Sequence, residues 1–176
     1  MKFFIYFISL FFSFVLFAES VPEVAKVQVT WEEVTQLSQD LQKQIVGSSF
    51  DPDVVIGISR GGLVPARLLS DLLDKNGLFI IRVAFYTAMG KTQKEPKLLQ
   101  GIEKDIVQGK SVLLVDDVAD SGRSLAFAIT YLQSFSPREI KVATLHYKRR
   151  SCVTPDFYAK LEERWIIYPW EAVESR

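Results

Sequence analysis

Apolar positions in this chain switch repeatedly between helical and strand spacing. Thr30-Trp-Glu-Glu33 has the form of a capping box, and Val34, Leu37, Leu41 and Ile45 follow on one helical face, which predicts a helix over 30–47. The compact run Val54 to Ile58 predicts a strand at 53–58, and Leu63, Leu68, Leu69, Leu72 and Leu73 predict a helix over 62–74. A strand at 78–86, a polar stretch, a strand at 111–116, a helix at 122–135 and a final strand at 139–147 complete the pattern. Such alternation implies an α/β fold, a parallel sheet with helices on both faces and loops that open along one edge.

The first residues break the pattern. Met1-Lys2 leads into Phe3 to Phe17, apolar apart from Ser9 and Ser13, and Ala18-Glu-Ser20 offers small residues at a cleavage position, which is a secretory signal pattern. At about 15 residues the apolar stretch is shorter than the roughly 20 of a membrane span. Residues 1–20 are therefore expected to be a signal-like or anchor segment, with membrane contact only if it stays uncleaved. The remaining 21–176 have the size of one domain, which in general buries about 68–70% of its unfolded surface.

Composition narrows the chemistry. Lys plus Arg and Asp plus Glu are both 21, so no excess charge points to a nucleic-acid partner. A lone Cys152 excludes an internal disulfide and a cysteine metal cluster. The only histidine, His146, argues against a zinc site or a Ser-His pair, and its strand-like surroundings place it in the core or at an edge.

Two strand-loop-helix segments carry candidate chemistry. In the first, Val112 to Val115 suits a buried strand, Asp116 and Asp117 fall where it ends, and Ala119 to Ser124 leads into a helix opening toward Leu125. Ser121 and Ser124 hydroxyls, close backbone approach at Gly122 and free helix N–H groups can hold a phosphate without a lysine. A carboxylate pair that hydrogen-bonds vicinal hydroxyls beside such a loop suits a ribose 5-phosphate. An acidic pair at a strand end also occurs in phospho-acceptor receiver domains. The second segment, Asp53 to Arg67, places a tight Ser59-Arg60-Gly61-Gly62 turn between strand and helix, with neither a Walker lysine nor the spacing of a dinucleotide fingerprint.

The first segment resembles the phosphoribosyl-diphosphate (PRPP) signature of the type I phosphoribosyltransferases, with Ser121 and Ser124 where threonine is common and Arg123 at a freer position. The resemblance spans nearly all of 30–171 and implies that family's α/β fold, with a lid loop at about 87–100 and a C-terminal hood at about 151–176. By this resemblance Asp116, Asp117, Val118, Ala119, Asp120, Ser121, Gly122, Arg123 and Ser124 bind the ribose 5-phosphate, and Ser59, Arg60, Gly61 and Gly62 bind the diphosphate. The lid, Thr87 to Gln100 with Lys91, Lys94 and Lys97, would close over PRPP and exclude water.

Trp165-Ile-Ile-Tyr-Pro-Trp-Glu171 resembles the hood of the xanthine-guanine members. That implies a base site formed by Trp165, Ile166 and Lys148, the lysine meeting a purine 6-oxo group and disfavouring adenine. The implied reaction transfers phosphoribose from PRPP to N9 of a 6-oxopurine (guanine, xanthine or hypoxanthine). Asp120 would be the catalytic group at N7, Mg²⁺ the cofactor with Asp117 its best protein ligand, and Asp116 would share the ribose hydroxyls. Relatives commonly form dimers or tetramers, so a homo-oligomer is expected. PRPP chemistry is cytoplasmic, in conflict with a genuine leader at 1–20. Three other readings stand beside this one: the same enzyme with another base, a non-catalytic PRPP or nucleotide sensor of the same fold, and a receiver-like domain.

Overall fold

The computed structural model describes residues 25–87 and 94–171. The signal-like segment, residues 88–93 of the expected lid and residues 172–176 of the expected hood lie outside the described residues. Among the described residues no helix is long and apolar enough to cross a membrane.

In chain order the elements are β1 (Lys26–Gln28), α1 (Trp31–Gly47), β2 (Val54–Ser59), α2 (Leu63–Leu72), β3 (Leu78–Thr87), β4 (Lys94–Gln100), a 3₁₀ turn at Lys104–Ile106, β5 (Ser111–Ala119), α3 (Arg123–Gln133), β6 (Glu139–Tyr147), β7 (Phe157–Leu161) and β8 (Trp165–Ile167). Six strands form one sheet in the order β4-β3-β2-β5-β6-β7, while β1 and β8 pair separately. Within the larger sheet β2, β3, β5, β6 and β7 are parallel and β4 runs antiparallel to β3.

Local chemistry explains the first helix. Thr30 Oγ1 accepts the Glu33 N–H at 3.1 Å, an N-cap whose loss typically costs about 1 kcal/mol. The return arm of the capping box is absent among the described contacts, because the Glu33 carboxylate instead takes Lys160 Nζ on β7 at 2.8 Å. That ion pair ties the helix start to the edge strand it packs against.

The core follows the period-two geometry of strands. Leu113 and Val115 of β5 join α1 and α2 side chains such as Leu41, Ile45 and Leu69 on one face. Val112 and Leu114 join Leu125, Ala128 and Leu132 of α3 on the other. A strand covered on both faces reads as an unbroken apolar run, and this is why β2 and β5 stand out in the sequence.

Three sequence expectations change. The strand at 111–116 continues to Ala119, because β6 goes on pairing through Val118↔His146 and Ala119↔Tyr147 after β2 has left the ladder at Val115. Residues 94–100, expected as part of a loop, form β4, so the sheet is not wholly parallel. An edge strand needs no apolar alternation, and Pro96 and Lys97 are residue types that edges tolerate. The strand at 139–147 is not the last, since β7 and the three-residue β8 follow.

Numbered among themselves, the five parallel strands lie in the order 2-1-3-4-5. The order in which strands are added reverses between β2 and β5, and ligands bind α/β sheets in the crevice at such a switch point. Both candidate loops leave from these two strands.

Candidate active site

Between the carboxyl ends of β2 and β5 lies a cavity of about 540 Å³. Its lining includes Ser59, Arg60 and Gly61 from the first loop, Asp116, Asp117, Val118 and Ser124 from the second, and Trp170 and Glu171 from the C-terminal segment. Residues distant in sequence thus meet at the switch point.

The β2–α2 turn is held by its own backbone. Gly62 N–H donates to Ile58 O at 2.8 Å, Leu63 N–H to Arg60 O at 3.1 Å and Ala66 N–H to Gly62 O at 3.0 Å, and the Ser59–Arg60 peptide is cis. A Cβ on Gly61 would collide with the Asp117 carboxylate. The turn and the acidic pair therefore pack directly on one another, so both can hold one ligand at once.

Asp116 and Asp117 are both buried. Asp117 N–H donates to Asp116 Oδ1 at 3.0 Å and Val118 N–H to Asp117 Oδ1 at 2.7 Å. Burial first, then the neighbouring Asp117 charge, pushes Asp116 well above the usual carboxylate range. Burial pushes Asp117 up to about 7, opposed by the Val118 N–H and reinforced by Glu171.

Carboxyls with raised folded values contribute stability that is fully present below the ordinary value of 3.8 and is lost as pH rises through about 7. The melting temperature of the free protein is expected to fall from about pH 6.5 to about pH 8, above the range in which the depressed His146 gains stability with pH, and Mg²⁺ to raise it more at the higher pH, where Asp117 is charged. A Mg²⁺ effect larger at the lower pH would contradict this electrostatic reading.

The loop after β5 owes its shape to Gly122, with φ of 74°. A Cβ there would also lie 2.7 Å from Val153 N and 3.0 Å from Cys152 N, so only glycine fits. Cys152 N–H donates to Ser121 O at 3.0 Å, which docks the loop on the segment after β6. The Arg123 guanidinium lies 5.1 Å over the Phe85 ring. The N-cap residue of α3, Gly122, has no side chain to cap the helix; the Arg123 N–H reaches the Ser121 hydroxyl at 3.5 Å, and the N–H groups that follow can meet an anion.

A second group lies beside the cavity. Asp120 Oδ1 accepts from Arg150 Nε at 2.6 Å and also pairs with Arg150 Nη2, while Lys148 Nζ is 3.6 Å from Oδ2. The Lys148 side chain is 3% exposed and its Nζ stands 6.0 Å from the Trp165 ring centroid. Trp165 is 54% exposed and presents a ring face, whereas Ile166 is 6% exposed and its side chain belongs to the α1 core. Ile166 can meet a base only through its backbone.

Gly62, Ala119, Ser121, Gly122 and Arg123 do not line this cavity; they lie in the two loops that border it, with the Ser121 hydroxyl at the start of α3. Arg150 escaped sequence reasoning because its partner is thirty positions away and no motif marks it. Tyr168 and Trp170 lay inside the hood motif without a role, yet Trp170 lines the cavity and its ring stacks on Tyr168 with centroids 4.6 Å apart.

His146 is buried, and burial first holds it down to about 4, so it is neutral at physiological pH and in the core as expected. The receiver reading fails on geometry. Both acids lie on β5, and the other parallel strands end in Ser59, Thr87, Tyr147 and Leu161, none an aspartate.

An α/β protein with two phosphate-ready loops facing each other across a switch point is built to hold a phosphorylated sugar or nucleotide. The chain belongs to the phosphoribosyl transferase domain family, whose model matches residues 30–172. It is 29% identical, over 87% of its length and 91% of the relative's, to a xanthine-guanine phosphoribosyltransferase of Cereibacter sphaeroides. The crystal structure of a purine phosphoribosyltransferase from Pyrococcus horikoshii superposes with a TM-score of 0.76 at 37% identity, covering 82% of this chain and 93% of that one. A Neisseria gonorrhoeae protein solved with bound ppGpp gives 0.78 at 27% identity, covering 86% and 92%.

Proposed function

We propose that this protein transfers the phosphoribosyl group of PRPP to N9 of a 6-oxopurine, releasing diphosphate and a nucleoside 5′-monophosphate. The observation that carries the reading is the contact of Gly61 with the Asp117 carboxylate. It sets diphosphate donors and ribose acceptors side by side, as one PRPP molecule requires. Backbone N–H groups of Ser59 to Gly61 and the Arg60 side chain hold the diphosphate, while Gly62, whose N–H is spent on the Ile58 carbonyl, closes the turn. Asp116 and Asp117 accept from the ribose hydroxyls, while Ser121, Ser124 and the start of α3 bind the 5′-phosphate.

The base sits beside this, over the Trp165 ring. Lys148 donates to the 6-oxo group, which an amino group could not accept, and Asp120 takes the N7 proton as charge shifts across the ring. The apolar faces of Trp165 and Trp170 limit water at the reacting carbon, where an oxocarbenium-like ribose would otherwise be captured.

The acid pair fits Mg²⁺. Among the described residues no three or more His, Cys, Asp or Glu gather into a metal cage, and Mg²⁺ is usually bound by one or two carboxylates plus substrate phosphates. Asp117 would be its protein ligand, and the ion would supply charge neutralisation on the leaving diphosphate.

The xanthine-guanine and purine names of the relatives support the acceptor class. A second reading, a nucleotide sensor on the same site, is favoured by the ppGpp bound in the Neisseria relative. Titration calorimetry with PRPP and Mg²⁺ tests the donor site. Replacing Ser121 and Ser124 together by alanine is expected to weaken PRPP binding about 10²-fold, the worth of two hydrogen bonds to a charged group. Full affinity in that variant would mean that the phosphate lies elsewhere.

A further inference from the structure

One polar chain in the core runs to the active site with no role in the chemistry above. The β2–β5 ladder ends at Gly57↔Val115. Two residues further on, the backbone carbonyl of Asp117 accepts the Tyr168 hydroxyl at 2.9 Å. The same hydroxyl lies 2.8 Å from His146 Nδ1. A phenol has one proton, and here the carbonyl takes it, so His146 carries its proton on Nδ1 and donates to the Tyr168 oxygen. His146 Nε2 is then a buried acceptor with no hydrogen-bond partner in the protein.

Packing alone does not call for this arrangement. Phenylalanine and an aliphatic residue would fill the same space without burying three polar atoms, one of them unsatisfied. The chain ends on the carbonyl of the acid that faces the diphosphate. Tyr168 also bonds through its own N–H to Glu171 Oε2 at 3.3 Å and stacks on Trp170, both of which line the cavity.

We propose that Tyr168, oriented by His146, is a positioning residue for Asp117. Its hydroxyl fixes β5 where the strand has lost its β2 neighbour, and so sets the place of the Asp117 carboxylate against the Gly61 turn. The inference rests on the proposed reaction and deepens it.

The test uses the full chain and reads KM for PRPP and for guanine separately. Tyr168→Phe is expected to raise the PRPP KM about three- to tenfold, the worth of one hydrogen bond, and to leave the guanine KM within about twofold. The double variant His146→Leu, Tyr168→Phe removes both polar partners without overpacking the site, so it should regain melting temperature over the single variant and keep the PRPP defect. An unchanged PRPP KM, an equal rise in both KM values, or a PRPP KM restored in the double variant would each overturn the proposal. If the wild-type chain turns over no purine, the proposed reaction fails instead, and PRPP affinity by calorimetry reads the same comparison.

Discussion

Asp120→Asn is expected to slow turnover by about 10²- to 10⁴-fold, the usual worth of a positioned proton-transfer group. The side chain lies in the loop just past β5, between the exposed Arg150 and the buried Lys148. Asparagine keeps the shape but cannot take the N7 proton. It also leaves Lys148 without its anion, so a melting temperature lower by a few degrees is expected, and turnover must be measured well below it. The loss should appear in kcat at saturating PRPP and base, with PRPP affinity near that of the parent, because Asp120 does not line the diphosphate cavity. An unchanged kcat would remove Asp120 from the mechanism.

The second large effect separates two adjacent glycines. A Cβ on Gly62 would stand 2.5 Å from the Val115 carbonyl oxygen and 2.7 Å from that of Ile58. Both are backbone atoms of central strands and cannot move aside, so Gly62→Ala should cost about 3 kcal/mol or more, at or beyond the upper end of core overpacking. The three atoms nearest a Cβ on Gly61 all belong to the Asp117 carboxylate, a side-chain end that can rotate where backbone cannot. Gly61→Ala should therefore fold with a modest loss of melting temperature yet bind PRPP at least about tenfold more weakly, since the displaced acid no longer faces the turn. Denaturant unfolding and PRPP calorimetry on the two variants check this. Equal stability losses, or full PRPP affinity in Gly61→Ala, would contradict the packing of turn against acid.

What could be read from the chain beforehand follows physical lines. β2 and β5 were legible because strands buried on both faces give unbroken apolar runs, and α1 because Thr30 and Val34 to Ile45 combine a cap with a helical face. The strands β1 and β8 were not, since three residues carry no period, and β4 was hidden because an edge strand forms by backbone pairing whatever its side chains. The two candidate phosphate loops could be located because each is contiguous in sequence. The Asp120–Arg150 ion pair and the His146–Tyr168–Asp117 chain could not, because each depends on how segments after β6 and β8 return to β5. The acids were expected at the strand end, and they lie one turn of pleat inside it because β6 outlasts β2 as a partner.

Transfer of phosphoribose to a 6-oxopurine is measured most directly by supplying the full chain with PRPP and Mg²⁺ and following diphosphate release with guanine, xanthine, hypoxanthine, adenine and uracil offered separately. Release with one or more of the three 6-oxopurines, and with neither adenine nor uracil, is the predicted result. Release with adenine or uracil, or with no base at all, would contradict it.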